Sequence, residues 1–234
     1  MTAVAVSGSL LAASPTVSEF PASLGHWNGR PIWVDAESAV DRSGRLNAVI
    51  LGEQSARIST ELARRSSRDE CRVFKSWSSD HFKSTATLEQ LVANSEMIVA
   101  GTVIARRQGI FYDTPGTLLR LDAEVLKGQA TQSTYLFYPY ARIQTAEGML
   151  CCRSFNGDES APGVGDRFLA FAILPPYVAD GVTLLAPDPR RELLREASEG
   201  TLTLPPALRS ADAVPGSFDT IRDRIRIRLL RTRD

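Results

Sequence analysis

The sequence lacks net charge, has few cysteines, contains no long apolar run and carries none of the short motifs that mark catalytic centres. Lys and Arg together number 27, as do Asp and Glu. No long-range field therefore draws in nucleic acid, anionic lipid or an acidic partner, and electrostatic recognition has to be local. No apolar stretch approaches the roughly 20 residues needed to cross a bilayer, so a soluble chain without a transmembrane segment is expected. HExxH, GxSxG and GxxxxGK[ST] are all missing, which removes the spacings that hold a zinc-bound water, an acyl nucleophile or a phosphate. The reading is a non-enzymatic binding or structural module. Its alternative is a hydrolytic enzyme whose site is assembled from residues outside any motif.

Only Cys71, Cys151 and Cys152 are present, an odd count that allows one bridge and one remaining thiol. Neighbours on a strand face opposite sides of the sheet, so Cys71 can pair with Cys151 or with Cys152 but the doublet cannot share it. The other reading is three reduced, buried cysteines acting as small apolar residues. No CxxC pair exists, and His26 and His81 stand far from the doublet, so neither a zinc site nor any cofactor is expected. The remaining metal candidate is the loop with Asn156, Asp158 and Glu159, which lacks the ligand alternation of a calcium loop and reads as a polar turn. Asp80-His81 could form half of an acid–base pair, but adjacent side chains rarely point at each other, and a surface histidine is the simpler reading.

What is present is a chain of 234 residues, 43% of them hydrophobic, enough for one elaborated domain or two small ones. Residues 2–13 are small and apolar and turn polar at Ser14-Pro15, like the core and cleavage zone of a signal peptide without its basic start. Residues 1–13 are accordingly read as the remnant of such a peptide and the protein as exported, periplasmic or extracellular. A plain N-terminal tail is the alternative.

Residues 14–85 form an N-terminal extension. It has a turn at Asn28-Gly29, apolar runs at 32–34 and 46–51, and a helix over 53–65 with Ile58 and Leu62 on one face. Its apolar content is too thin for a core of its own. Residues 86–187 form the main domain. Thr87 and Gln90 fit a capping box for a short helix through Leu88, Leu91 and Val92. A strand at 97–105 follows, with Gly101 marking a bulge or bend. After a short polar loop comes a second strand, in which Leu119, Leu121, Ala123 and Val125 alternate with Arg120, Asp122 and Glu124. Further strands are expected at 134–138, 149–153, 167–174 and 182–185. Residues 188–234 form a helical tail, with helices over 190–197 and 217–231 separated by Pro205-Pro206. In the last segment IRIRL (225–229) also alternates as a strand would; the helix is preferred because Ser217 is a good N-cap.

The segment TYLFYPYAR (134–142) carries the candidate binding residues. In a strand, Tyr135 and Phe137 face one way and Leu136, Tyr138 and Tyr140 the other, so aromatic surface is left outside whichever face is core. With Arg142 these rings could stack on a small-molecule ligand or a protein partner. Otherwise the chain's own first or third section lies on them. The arginines at 222, 224, 226, 228, 231 and 233 make the tail locally basic. Asp219, Asp223 and Asp234 offset them, which reads as a solvated helix face rather than a membrane-surface or nucleic-acid site.

The combination of IVAGTV (98–103), LRLDAEVLKG (119–128) and VGDRFLAFAIL (164–174) resembles an arrangement in exported bacterial proteins of uncharacterised function that are similar to the netrin-like barrel, the OB-type fold found also in tissue inhibitors of metalloproteinases. The resemblance covers roughly 88–187 and implies a mainly β chain with peripheral helices around a small closed antiparallel barrel. It implies no protease inhibition, because those inhibitors reach the protease zinc through an N-terminal cysteine and no cysteine here stands near residue 14. Ligand, partner and oligomeric state are left open by the sequence.

Overall fold

The computed structural model describes residues 20–21, 23–66, 71–73, 88–129, 133–153, 160–187, 193–196, 202–203 and 217–231. It is mainly β, with few helices. The first strands among the described residues form a hairpin, β1 (His26–Trp27) and β2 (Arg30–Pro31), whose turn residues Asn28 and Gly29 both have positive φ, 51° and 75°. That is the geometry an Asn-Gly pair favours. Strand β3 (Trp33–Asp35) leads to α1 (Ala36–Ala39), capped by the Asp35 carboxylate accepting from the Ser38 amide at 2.9 Å, then to α2 (Ala48–Leu51), capped by Asn47. Helix α3 (Glu53–Arg65) has the expected bounds but a different buried face. Ser55, Ala56, Ser59 and Ala63 point inward, Leu62 packs half-buried at the edge of that face, and Ile58 is exposed. Small residues let the helix lie close to the sheet, and closeness wins over the larger side chains.

After β4 (Arg72–Val73), α4 (Leu88–Asn94) feeds the long strand β5 (Met97–Phe111), which returns as β6 (Thr114–Lys127). The expected loop between them is therefore replaced by a continuous ladder to Phe111↔Thr114. Gly109 and Gly116 lie opposite each other there. A Cβ on Gly109 would stand 2.6 Å from the Trp33 ring, and one on Gly116 2.1 Å from the Phe137 ring. The glycines are strand positions whose volume is filled by aromatic rings from neighbouring strands. Gly101 is paired regularly with Ala123; the register shifts lie instead between Ile98 and Val99 and between Val103 and Ala105. The reading of Gly101 as a bulge is thus corrected; the register instead passes over Leu126 at the first shift and Ile104 at the second.

Strands β7 (Ser133–Tyr138), β8 (Ala141–Thr145), β9 (Gly148–Arg153), β10 (Arg167–Ile173) and β11 (Val182–Pro187) follow. The pairings run β5 to β6, β6 to β7, β7 to β11 and β11 to β10, and β10 also pairs with β5. The β7–β11 pair is parallel, which corrects the all-antiparallel expectation. The expected helix over 190–197 is also corrected. Leu193–Glu196 is a strand, β12, bonded to the part of β10 from Phe168 to Ala170 that β11 leaves open, and β13 (Leu202–Thr203) extends it. An unpaired sheet edge outweighs the helix propensity of Leu, Arg and Glu. Helix α5 (Phe218–Arg231) ends the described chain, with the Ser217 hydroxyl accepting from the Thr220 amide at 3.3 Å.

The apolar side chains sort into layers. Met97, Val99, Val103, Leu119, Leu136 and Phe168 pack in one cluster. In a second, Phe218, Ile221 and Ile225 of α5 and Leu91 of α4 cover Ile98, Leu169 and Phe171. In a third, Phe20, Leu24, Ile32 and Trp33 from the N-terminal section cover Leu118, Tyr135 and Phe137. Cys71 and Cys151 form a disulfide across 80 residues of sequence, tying the extension to β9, and Cys152 is buried outside the bridge. The doublet behaves as strand alternation requires, with only one member reaching Cys71.

Candidate functional site

Tyr135, Phe137 and Tyr138 are buried and Tyr140 is half-buried. The odd and even positions face different layers. Tyr135 lies against Phe20 at 6.1 Å between ring centroids and Phe137 against Phe111 at 4.7 Å, whereas Leu136 and Tyr138 pack in the cluster of Met97, Leu119 and Phe168. Pro139 ends β7, and the Tyr140 carbonyl accepts from the Thr117 hydroxyl at 2.5 Å. Arg142, on β8, is exposed, and its amide faces the Gln108 side chain at 3.4 Å. The strand therefore does not gather these residues into one surface. In the structure, the outward rings are occupied by the N-terminal section.

The other sequence candidates separate. Asp80, His81, Asn156, Asp158 and Glu159 lie outside the described residues, as do Thr87, Pro205, Pro206, Arg233, Asp234 and residues 1–13. On α5, Arg222 pairs with Asp219 at 2.9 Å and with Asp223, Arg226 with Glu124 and Asp223, and Arg228 with Glu89. Arg167, stacked 4.2 Å from the Phe218 ring centroid, bonds Glu196 and Asp219. These pairs turn the basic face toward the protein's own carboxylates. Among the described residues no three His, Cys, Asp or Glu side chains gather as metal ligands, and no helix is long and apolar enough to cross a membrane.

A different cluster stands at one end of the strand circuit. Trp27 at the tip of the β1–β2 hairpin, Tyr112 in the β5–β6 turn and Tyr177 in the β10–β11 connection converge there. The Trp27 and Tyr177 rings are near-parallel, 29° apart with centroids at 6.3 Å, and Tyr112 meets Trp27 edge-on at 5.7 Å. Trp27 is 45% and Tyr177 58% exposed. Three large rings thus share an open surface, where isolated exposed apolar residues would call for no explanation.

Backbone contacts hold the three tips in place. The Tyr112 amide donates to the Ile32 carbonyl at 2.8 Å and the Ala179 amide to the Leu24 carbonyl at 2.8 Å. The Tyr112 hydroxyl donates to the Pro176 carbonyl at 3.1 Å. Gly25 bridges Val178, and a Cβ on it would come within 2.1 Å of the Tyr177 carbonyl oxygen, so only glycine admits this approach. Both tyrosines have left-handed backbones, φ 51° at Tyr112 and 66° at Tyr177. That conformation is costly for a bulky residue and is kept where surroundings enforce it, often at binding sites. Burial, with a smaller contribution from neighbouring Tyr177, holds the Tyr112 phenol above the ordinary tyrosine range. It is therefore a neutral hydrogen-bond donor at physiological pH.

No protein-family model, curated protein or solved structure matches the chain. Its function has to be read from its own geometry. The sequence did carry a signal for this cluster: tryptophan beside Asn-Gly, and tyrosine inside FYDT and PPYVADG, place large rings in turn segments, where a turn itself has no use for them.

Proposed function

We propose that the chain is an exported, non-enzymatic binding module built on a small closed barrel of the OB type, with Trp27, Tyr112 and Tyr177 as its binding surface. The barrel reading is supported by the pairing circuit of β5, β6, β7, β11 and β10, five strands whose last member bonds the first. Its β10–β11 step holds two residue pairs, in keeping with the partly open barrel of OB folds. The resemblance to netrin-like proteins rests on the same strands. Export is supported by the Cys71–Cys151 bridge, a feature of oxidising compartments, together with the small apolar start of the sequence.

The observation that carries the binding reading is the convergence of three exposed or half-exposed rings on tips far apart in sequence, two of them on left-handed backbone. In OB-type barrels the loops after the first and fourth strands commonly hold ligands; here these are the turn with Tyr112 and the connection with Tyr177. The test is a paired screen of the purified oxidised protein, hydrolase substrates in one arm and equilibrium binding of saccharides, nucleotides and peptides in the other. Binding that disappears in Trp27→Ala, without hydrolysis, is expected. Turnover abolished by one point change would establish the enzyme reading instead, and binding that depends on Arg142 but not on Trp27 would move the site to the β7–β8 segment.

A further inference from the structure

We infer that the outer edge of β5 between Ile104 and Gln108 is a strand-addition site whose partner is an extended acidic peptide segment. This surface is separate from the aromatic cluster and does not depend on it.

β5 is longer than the strands on its outer side. β6 pairs with it from Ile98 to Phe111. On the opposite edge, β10 covers Met97 to Thr102 and β3 covers Gly109 to Phe111. Among the described residues no strand lies against 104–108 there. Backbone alternation identifies the groups that face this gap. Val103 turns both its polar groups toward the β10 side, its amide donating to the Asp166 carbonyl at 2.9 Å and its carbonyl accepting from the Gly165 amide at 2.8 Å. At the far end, the Tyr112 amide donates to the Ile32 carbonyl at 2.8 Å, on the β3 side. The outward positions are thus odd before the register skip at Ile104 and even after it. Arg106 and Gln108 therefore present their amides and carbonyls to the gap, and these four groups have no partner among the described residues. Ile104, Arg106, Arg107 and Gln108 are all exposed.

A row of alternating donors and acceptors is completed by another strand. A nucleic-acid backbone offers phosphate acceptors but no matching row of amide donors. Charge then selects the strand. Arg106 and Arg107 are neighbours and project from opposite faces, and neither enters an ion pair among the described residues. Arg107 lies over the Phe20 ring, 5.1 Å from its centroid. On α5, by contrast, Arg222, Arg226 and Arg228 are all held by carboxylates of the same chain. A second copy laid antiparallel on this edge would set arginines opposite arginines, and like charges across a strand pair repel. An acidic strand gains instead, because whichever face carries its carboxylates meets one of the two arginines. The edge thus resists its own copies while remaining open to a strand of opposite charge.

The experiment uses the oxidised full chain and a capped peptide alternating valine and glutamate. Contrasts are a valine-lysine peptide and a valine-glutamate peptide with an N-methylated backbone. Amide hydrogen exchange, resolved by residue with NMR, is measured with and without each peptide. In the unbound chain, Arg106 and Gln108 should exchange at least about tenfold faster than Arg107, whose amide faces β6. The valine-glutamate peptide should slow both, and each contrast peptide should bind at least about tenfold more weakly. Arg106→Glu combined with Arg107→Glu should reverse the preference toward the valine-lysine peptide, while Trp27→Ala leaves it unchanged. Amides of Arg106 and Gln108 as protected as that of Arg107 in the unbound chain would show the edge already occupied and overturn the inference. So would failure of the valine-glutamate peptide to slow them. Equal binding of the N-methylated peptide would overturn strand addition, and binding indifferent to the arginine reversal would overturn the acidic partner.

Discussion

Filling the space above Gly116 offers a sharp test of how the aromatic segment is used. A Cβ there would fall 2.1 Å from the Phe137 ring and 2.8 Å from the Tyr138 carbonyl oxygen. Gly116→Ala therefore forces the ring to move within a packed layer, and overpacking of this kind costs about 1–3 kcal/mol. Phe137 is 2% exposed and packs on Phe111, so Phe137→Ala should cost about 3–5 kcal/mol. If the ring truly sits on the glycine, the methyl of the first variant occupies part of the cavity of the second. The double variant should then be more stable than the sum of the single losses by about 1 kcal/mol or more, reduced by the carbonyl contact that persists. Urea unfolding of the four proteins completes the cycle. Losses that add within about 0.5 kcal/mol would show that Phe137 does not cover Gly116, and the ring would become available as part of a binding face.

Three further outcomes follow from the same contacts. Ile225 is fully buried while Ile227 is 51% exposed, so Ile225→Ala should cost about 2–5 kcal/mol and Ile227→Ala less than about 0.5 kcal/mol; equal losses would favour the strand reading of 225–229. Opening the Cys71–Cys151 bridge, which spans 80 residues, should cost about 4 kcal/mol by loop entropy, and alkylation of the unfolded, unreduced chain should label Cys152 alone. The raised phenol of Tyr112 means that the unfolded chain releases this proton first. Stability should hold below a pH of about 10 and fall as pH rises through the folded-state value, and Tyr112→Phe should remove that part of the loss.

Local features were legible in the sequence. Alternation at 119–125 marks a half-buried strand, Asn28-Gly29 marks a tight hairpin, and the spacing of the cysteine doublet restricts it to a single bridge. What failed depended on partners distant in the chain. Residues 106–117 look like a loop because Gly109, Pro115 and Gly116 lack strand propensity, yet rings from Trp33 and Phe137 supply the missing volume. Leu193–Glu196 looks helical until the open edge of β10 claims it. The aromatic cluster is hidden for the same reason, since Trp27, Tyr112 and Tyr177 meet only once β10 has paired with both β5 and β11. The aromatic run at 134–142 drew attention by density, but density in a buried strand signals packing.

The central claim is that pairing around the strand circuit brings three distant loop tips into one aromatic surface. Proton NMR of the oxidised protein tests it directly, with the Trp27 ring assigned through Trp27→Phe. Nuclear Overhauser contacts from the Trp27 ring to both the Tyr112 and the Tyr177 rings are predicted, given centroid separations of 5.7 and 6.3 Å. A Trp27 ring without contact to either tyrosine would contradict the convergence, and with it the proposed site.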